Sequence, residues 1–416
     1  MHVIHLVHGY FPAIGGIEFL FQRISEELVS RYGDWVTVLT TDGYNPGSFV
    51  DPEEPTIPIR EDEVVNGVAV RRFPVNRRIA RHIKKLQGLA FEHNWPASDV
   101  LRTLYNGPIS RSMFAAVRQA EGDVLVAAAF PMLHMYYAAL GKRFNQLPLL
   151  FDGALHPHDR WSYDRAIIYR AVAACDIYLA NTTYERDYLR ARGVPVEKIR
   201  IASPGVDPRP FEAADPMALR KELGWENQPV VAFVGQQAAH KGIDILYHAM
   251  RLVWRQMPEV RLIVAGGRTG YSPQLDKVLA GFTPRERDRI HLIPNFAERE
   301  KAEIFAACDV FVSPSGYESF GITFVEAWAA GKPVIGCRSG AIPAVVDEWH
   351  DGLLVPYRDT PQLAAAMLEL LHDDRRCEKM GRRGHEKVLA AHTWEHAVAR
   401  FRDAYQEAIE RHADRA

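Results

Sequence analysis

Two carboxylates and a lysine carry the clearest chemistry in this chain. Glu318 and Glu326 stand with seven residues between them in ESFGITFVE, within the stretch CDVFVSPSGYESFGITFVEAWAAGKPVIG from 308 to 336. An apolar run at Val310 to Val312 passes through Ser313-Pro314-Ser315-Gly316. Then Phe324, Val325, Trp328 and Ala329 recur at helical spacing, and Gly331-Lys332-Pro333 ends the pattern. This reads as strand, loop, helix, strand. The opening turn of such a helix offers unpaired N–H groups, here those of Phe320, Gly321 and Ile322, to a phosphate. With one carboxylate before that turn and one inside the helix, hydroxyls could be held both near the phosphate and further from it. A nucleoside diphosphate sugar has that layout. The plain alternative is a helix-capping Glu and a solvated helix face.

Lys241 belongs to a second strand-to-helix loop, GQQAAHKGID, which opens with Gly235. A lysine at a helix start can neutralise a diphosphate leaving group. A third polar loop, FDGALHPHDRW, follows an apolar run and carries His156, His158 and Asp159. A metal site there is disfavoured: Pro157 separates the histidines, and side chains two apart on an extended chain point oppositely. Nothing in the chain supplies an Asp-x-Asp metal motif, so no metal is expected.

The elements that must position these groups alternate along the whole chain. His2 to His8, Trp35 to Thr41, Val68 to Phe73, Val124 to Phe130, Leu147 to Gly153, Ile177 to Asn181 and Ile199 to Ala202 read as strands. A helix from Ile17 to Arg31 joins the first two. The pattern restarts with Val230 to Val234, Arg261 to Ala265, Arg289 to Ile293, Val310 to Val312, Val334 to Gly336 and Leu353 to Val355. Strands separated by helical stretches imply α/β architecture with doubly wound sheets. Pro208, Pro210 and Pro216 mark a linker, giving an N-terminal domain over 1–207 and a second over 208–392. Trp394, Val398, Phe401, Tyr405 and Ala408 form an apolar stripe on a last helix. Residues 42 to 66, rich in Asp, Glu, Pro and Gly, read as a surface excursion.

Bulk properties narrow the class. At 416 residues the chain exceeds one hydrophobic core, and 47% apolar with 25% charged residues is ordinary for a globular protein. A net charge of -2 argues against a dedicated nucleic-acid binder. The four cysteines show no metal or redox spacing, and MHVIHLVHGYFP lacks a basic leader, so a reducing cytoplasm is the expected compartment. Val124 to Gly141 is uncharged but interrupted by Pro131 and His134, and reads as a buried strand and a packed helix. The first loop, HGYFPAIGGIE, brings Gly15 and Gly16 to a helix start without the Gly-x-Gly-x-x-Gly pattern, so no nicotinamide cofactor is indicated. Between Arg71 and Lys85 seven basic residues, among them Arg77, Arg78 and Arg81, occur with no acidic one, and Phe91 and Trp95 follow. Such a patch suits an anionic acceptor or an anionic membrane surface; otherwise it is a solvated helix face.

The string with ESFG, EAWAAGKPV and SGAIPAVVDEWHDGLLV resembles glycosyltransferase family 4, retaining enzymes of GT-B fold. The resemblance implies two facing Rossmann-like domains, with the C-terminal helix, 393–416, returning to the N-terminal one. It implies that 1–207 is the acceptor side and 208–392 binds the donor, a nucleoside diphosphate sugar serving as substrate rather than cofactor. Glu326 would hold the ribose hydroxyls, Glu318 the transferred sugar, and the amides of Phe320 to Ile322 the sugar-phosphate end. Gly15, Gly16, Gly235 and Lys241 would face the phosphates, Phe296 the nucleobase, and His156, rather than His158, the transferred sugar. With Lys241 and Glu318, His156 would form the catalytic set, acting on a carbohydrate or lipid-linked acceptor. One departure stands out: the family's Arg after the glycine is Gln236 here, and Arg268 of AGGRTG is a candidate substitute. Rival readings on the same fold are a nucleotide-sugar epimerase, a phosphorylase, or a non-catalytic sugar-nucleotide-binding subunit.

Overall fold

The computed structural model describes residues 1–13, 15–93, 95 and 98–414. The last two positions of the helix expected over 393–416 lie outside the described residues. The chain divides into two compact units, Met1–Ser203 with Ala397–Ala416, and Pro204–His396.

Among the described residues, eight strands build the sheet of the first unit: β1 His2–Leu6, β2 Trp35–Thr41, β3 Glu63–Val65, β4 Val68–Phe73, β5 Val124–Ala128, β6 Leu149–Asp152, β7 Ile177–Ala180 and β8 Ile199–Ile201. Their order is β3-β4-β2-β1-β5-β6-β7-β8, parallel throughout except where β3 meets β4. The central strands are apolar at nearly every position because helices cover both faces, leaving no solvent side to demand alternation. β5, VLVAA, is buried at all five residues. The order reverses direction at β1 and β5, whose registered pairs run from Val3 with Val124 to Leu6 with Ala127.

β3 is the element the sequence hid. It is a three-residue antiparallel edge strand inside the excursion read as surface, turned by Asn66 and Gly67 at φ 49° and 84°. Its composition, EVV, is too short to show a period. Its partner β4 supplies the apolar face through Val68 and Val70.

In the second unit, six strands follow: β9 Val230–Val234, β10 Arg261–Ala265, β11 Ile290–Ile293, β12 Val310–Ser313, β13 Val334–Cys337 and β14 Gly352–Val355. They are ordered β11-β10-β9-β12-β13-β14 and all run parallel. This is the doubly wound Rossmann order, with its switch point between β9 and β12, where the loops at the carboxyl ends of two strands diverge and leave a crevice. Trp328, fully buried, anchors the helix after β12: its indole N–H donates to the Asp351 carbonyl at 2.9 Å. A Cβ on Gly384 would stand 2.0 Å from that ring, so the Asp374–Lys387 helix packs directly on it.

After a π-helical turn at Val388–His392 comes the last helix, Trp394–Ala413. From Ala397 onward it belongs to the first unit. There Phe401 meets Phe21 edge-on at 6.3 Å and Arg402 donates to Asp34 at 2.8 Å.

Candidate functional site

The switch point of the second unit gathers the residues with chemistry. Gly235, at φ 157°, ends β9, and Gly242, at φ 68°, starts the Ile243–Gln256 helix. A Cβ on Gly242 would lie 2.3 Å from the Pro314 carbonyl, so the loops after β9 and β12 touch backbone to backbone. The Gly316 amide donates to the His240 carbonyl at 2.7 Å, and the His240 ring stacks on Tyr317 at 4.5 Å. These contacts bring Lys241 to Glu318, Nζ to Oε1 at 2.6 Å. Burial pushes the Glu318 carboxyl up, but the Lys241 charge and hydrogen bond, with the Ser315 hydrogen bond and His240, together outweigh it and leave the group below its ordinary value.

Beyond Glu318 the chain turns at Gly321, φ 91°, into the Ile322–Ala329 helix. Only glycine fits: a Cβ would press within 2.7 Å of the Phe324 ring. Among the described hydrogen bonds, none is donated by the amides of Phe320, Gly321 or Ile322 to a protein acceptor. They are the orphan donors of a helix N-terminus. Glu326 lies inside this helix, buried, and binds Lys301 of the Glu298–Ala306 helix at 2.8 Å. Burial raises the Glu326 carboxyl despite that lysine. Burial would lower the Lys301 ammonium, but Glu326 and Glu298 hold it above its ordinary value. The plain reading therefore fails at both glutamates: Glu318 caps no helix, and Glu326 is not on a solvated face.

The sequence does not single out Lys301, because EREK looks like an ordinary charged helix surface. Phe296 sits half-buried on the loop leading from β11 to that helix. The loops after β9 and β10 are also joined: a Cβ on Gly266 would collide with the Gly235 carbonyl oxygen at 1.8 Å, and Thr269 donates to the Gln237 carbonyl at 2.6 Å. Gln236 is exposed. Arg268, the candidate substitute for the missing arginine, is engaged elsewhere, its two terminal nitrogens on the two carboxylate oxygens of Asp276.

In the first unit, Gly15 caps the Gly16–Tyr32 helix. A Cβ there would meet Glu18 Oε2 at 2.1 Å, whereas one on Gly16 would meet nothing within 4 Å, so packing demands only the first of the pair. Glu18 is buried against His8, Oε1 to Nε2 at 3.0 Å. Burial raises its carboxyl, but the His8 hydrogen bond and charge bring it below the ordinary value.

The loop after β6 carries both histidines. His156 is half-buried with its ring edge-on to Tyr163 at 5.3 Å, while His158 is exposed and meets the Tyr184 hydroxyl at 3.4 Å. Asp159 caps the short helix that follows.

The basic run splits. Arg72 is buried and binds Glu63 through two nitrogens, each at 2.8 Å. Arg77 clamps Asp42 at 3.0 and 3.1 Å, tying the start of the Arg77–Glu92 helix to the end of β2. These two are structural, contrary to a reading of the whole run as surface. Arg78, Arg81, Lys84 and Lys85 are exposed. Arg81, Lys84 and Lys85 line a cavity of about 830 Å³ with residues of the 46–54 segment. Among the described residues no group of three or more His, Cys, Asp or Glu could hold a metal ion, and no helix is long and apolar enough to cross a membrane.

Comparison with known proteins follows these divisions. Residues 15–205 match the family model for glycosyl transferase 4-like domains, and 217–387 that for glycosyl transferases group 1. Among curated relatives, a D-inositol 3-phosphate glycosyltransferase of Stackebrandtia nassauensis is 30% identical over 298 residues, covering 70% of this chain and 66% of the relative. One from Segniliparus rotundus is 35% identical over 219 residues, 51% of this chain and 48% of its own length. The matched part thus spans about half to two thirds of these relatives. Among solved structures, HepE of Anabaena in complex with UDP and glucose superposes with a TM-score of 0.72 at 18% identity, covering 98% of this chain and all of that one. The sucrose-phosphate synthase of Thermosynechococcus elongatus gives 0.70 at 20% identity, covering 98% and 99%. With both halves matched by glycosyltransferase models and the whole chain superposing on such folds, the chain belongs to glycosyltransferase family 4 and has the GT-B fold.

Proposed function

We propose that this protein moves a sugar from a nucleoside diphosphate sugar to an acceptor hydroxyl, with retention of anomeric configuration and without a metal ion. The second unit binds the donor and the first serves the acceptor. The observation that carries this reading is the 2.6 Å pairing of Lys241 with Glu318 at the switch point, beside three amides that donate to no acceptor among the described residues.

In this reading the amides of Phe320, Gly321 and Ile322 and the Lys241 ammonium take the diphosphate. Glu326 takes the ribose hydroxyls, and Glu318 and His156 the transferred sugar. The bond between the anomeric carbon and the phosphate oxygen breaks as the acceptor oxygen bonds to the same face. The acceptor's proton passes to the departing phosphate oxygen. Lys241 and the helix N-terminus stabilise the charge that develops there, which needs no ion if the donors are fixed beforehand.

For the acceptor, the exposed Arg78 and Arg81 favour an anionic group, and the curated relatives named for D-inositol 3-phosphate fit that preference. The same helix exposes Ile79, Leu86, Leu89 and Phe91 among its cations. That mixture suits peripheral attachment to an anionic leaflet, at about 1 kcal/mol per well-placed charge. Gln236 favours a second reading, a subunit that binds the nucleotide sugar without turning it over. Thermal stabilisation by a panel of uridine, guanosine and adenosine diphosphate sugars, followed by assay of nucleoside diphosphate release, tests both. Stabilisation with release supports transfer; stabilisation without any release leaves the binding subunit; neither effect ends the donor assignment. Sedimentation with phosphatidylserine but not phosphatidylcholine vesicles tests the membrane reading, which is lost if both or neither pull the protein down.

A further inference from the structure

Behind the loop that carries His156 lies a buried carboxylate that the reaction above does not use. Glu185, 1% exposed, stands in the first turn of the Thr183–Arg190 helix after β7. Its Oε1 accepts from the Tyr178 hydroxyl at 2.6 Å and from the Leu155 amide at 3.0 Å, and its Oε2 from the Asn181 amide at 2.9 Å. One side chain thus joins the loop after β6 to the loop after β7. The Asn181 side of this link is itself anchored, since Ser203 donates to the Asn181 carbonyl at 2.8 Å.

The backbone around Leu155 is shaped to receive that bond. A Cβ on Gly153 would lie 1.6 Å from the Tyr178 hydroxyl, so the hydroxyl occupies the space a side chain would need. Ala154 is held at φ 46°, in the left-handed region that non-glycine residues adopt only under constraint. Residues 153 to 155 therefore wrap around the Tyr178 hydroxyl, and the Leu155 amide closes the wrap on the carboxylate that hydroxyl also binds. His156 is the next residue. Its direction is set by a turn that three donors to one buried carboxylate enforce, with the Tyr163 ring edge-on to the imidazole.

We infer that Glu185 and Tyr178 are positioning residues for His156, fixing the imidazole where the proposed transfer needs it. This rests on the role given above to His156, so the test separates the two. The full-length chain, with its histidines labelled at Cε1, is compared as wild type, Tyr178→Phe, Glu185→Gln and Glu185→Ala. The His156 signal is assigned by its loss in His156→Ala. The ring signal of His156 is expected to move or split in all three variants while that of His5 stays in place.

Nucleoside diphosphate release is then measured over the same donor panel. Tyr178→Phe and Glu185→Gln are expected to lower kcat about 10- to 100-fold, as a misplaced group does. KM for the donor should stay within about 3-fold. In a His156→Ala background Glu185→Gln should cost less than about 2-fold more, since the two act through one group. An unmoved His156 signal, or the same loss with and without His156, overturns the positioning role. Full turnover by His156→Ala overturns the histidine's role alone, and the ring signal then decides the rest. Where Glu185→Ala does not fold, Tyr178→Phe, which keeps the carboxylate, carries the test.

Discussion

Lys241 and Glu318 neutralise each other at 2.6 Å across two loops that leave different strands, β9 and β12. Lys241 is therefore the main reason Glu318 stays charged where burial alone would lift its carboxyl. Lys241→Ala should strand the carboxylate, let burial lift it above its ordinary range, and cost about 1.5 to 3 kcal/mol of stability. Lys241→Met with Glu318→Gln should recover most of that loss without recovering turnover. Urea unfolding of the single and double variants, beside nucleoside diphosphate release, checks the pair. Equal stability of the single and double variants would refute the coupling.

Lys301 holds Glu326 at 2.8 Å and so fixes the carboxylate assigned to the ribose. Lys301→Ala should raise donor KM about 10-fold while kcat changes less than about 3-fold, the signature of lost uniform binding. Titration calorimetry with the nucleoside diphosphate alone should show the same weakening. A fall in kcat with KM unchanged would place Glu326 at the reacting centre instead.

Acid should unfold the first unit through two histidines. Ser25 donates its proton to the Phe21 carbonyl at 2.6 Å, so His5 Nδ1 must donate to Ser25, and His5 Nε2 lies 3.2 Å from the Tyr405 hydroxyl. Burial pushes His5 down to about 3, so the ring is neutral at neutral pH and its Nε2 accepts from Tyr405. His134, donating to the Ala128 carbonyl at 2.6 Å, is pushed down to about 3 by burial and then by His8. Because the unfolded chain takes up these protons near pH 6.5 and the folded one does not, the stabilisation is whole above 6.5. It is lost as pH falls toward 3, at up to about 1.4 kcal/mol per pH unit for each histidine. Denaturant titrations at pH 7.5, 6 and 5 should trace that decline, and a flat profile would exclude it.

Gly266 tests the close approach of the β9 and β10 loops. At φ 144°, with its missing Cβ 1.8 Å from the Gly235 carbonyl oxygen, it leaves alanine neither a backbone region nor space. Gly266→Ala should cost about 1 to 3 kcal/mol, a drop of about 2 to 4 °C in Tm per kcal/mol. Gly16→Ala, with nothing within 4 Å, should leave Tm within about 1 °C. A Gly266→Ala protein melting with the wild type would show that the two loops can part freely.

Much of this was readable in the residues, and the reasons differ from place to place. β2, β4, β9 and β10 appear with the boundaries the sequence suggests, and β9, buried at all five residues, has no polar position to blur it. β3 escaped because three residues carry no period, and its stability comes from pairing with β4. At the site, Lys241 and Glu318 were legible as chemistry but not as a pair, since 77 positions separate them and only the fold closes that distance. Glu185 and Lys301 show the harder case. Each sits in a helix whose charges look solvated, and only burial reveals that one holds a loop and the other a carboxylate. Arg72 and Arg77 are the converse, cations that looked like surface and serve as struts.

The last helix has a consequence for how this chain comes to be folded. Tyr405 and Arg402 complete the surroundings of His5 and Asp34, so the unit begun at the first strand is finished by residues after Ala397. On the ribosome the opening unit must therefore wait, its sheet made but the patch around His5, Phe21 and Asp34 open, while the whole intervening unit is translated and can fold by itself. The half that starts first is sealed last, and during that interval a chaperone would find its apolar flank at Phe21 uncovered.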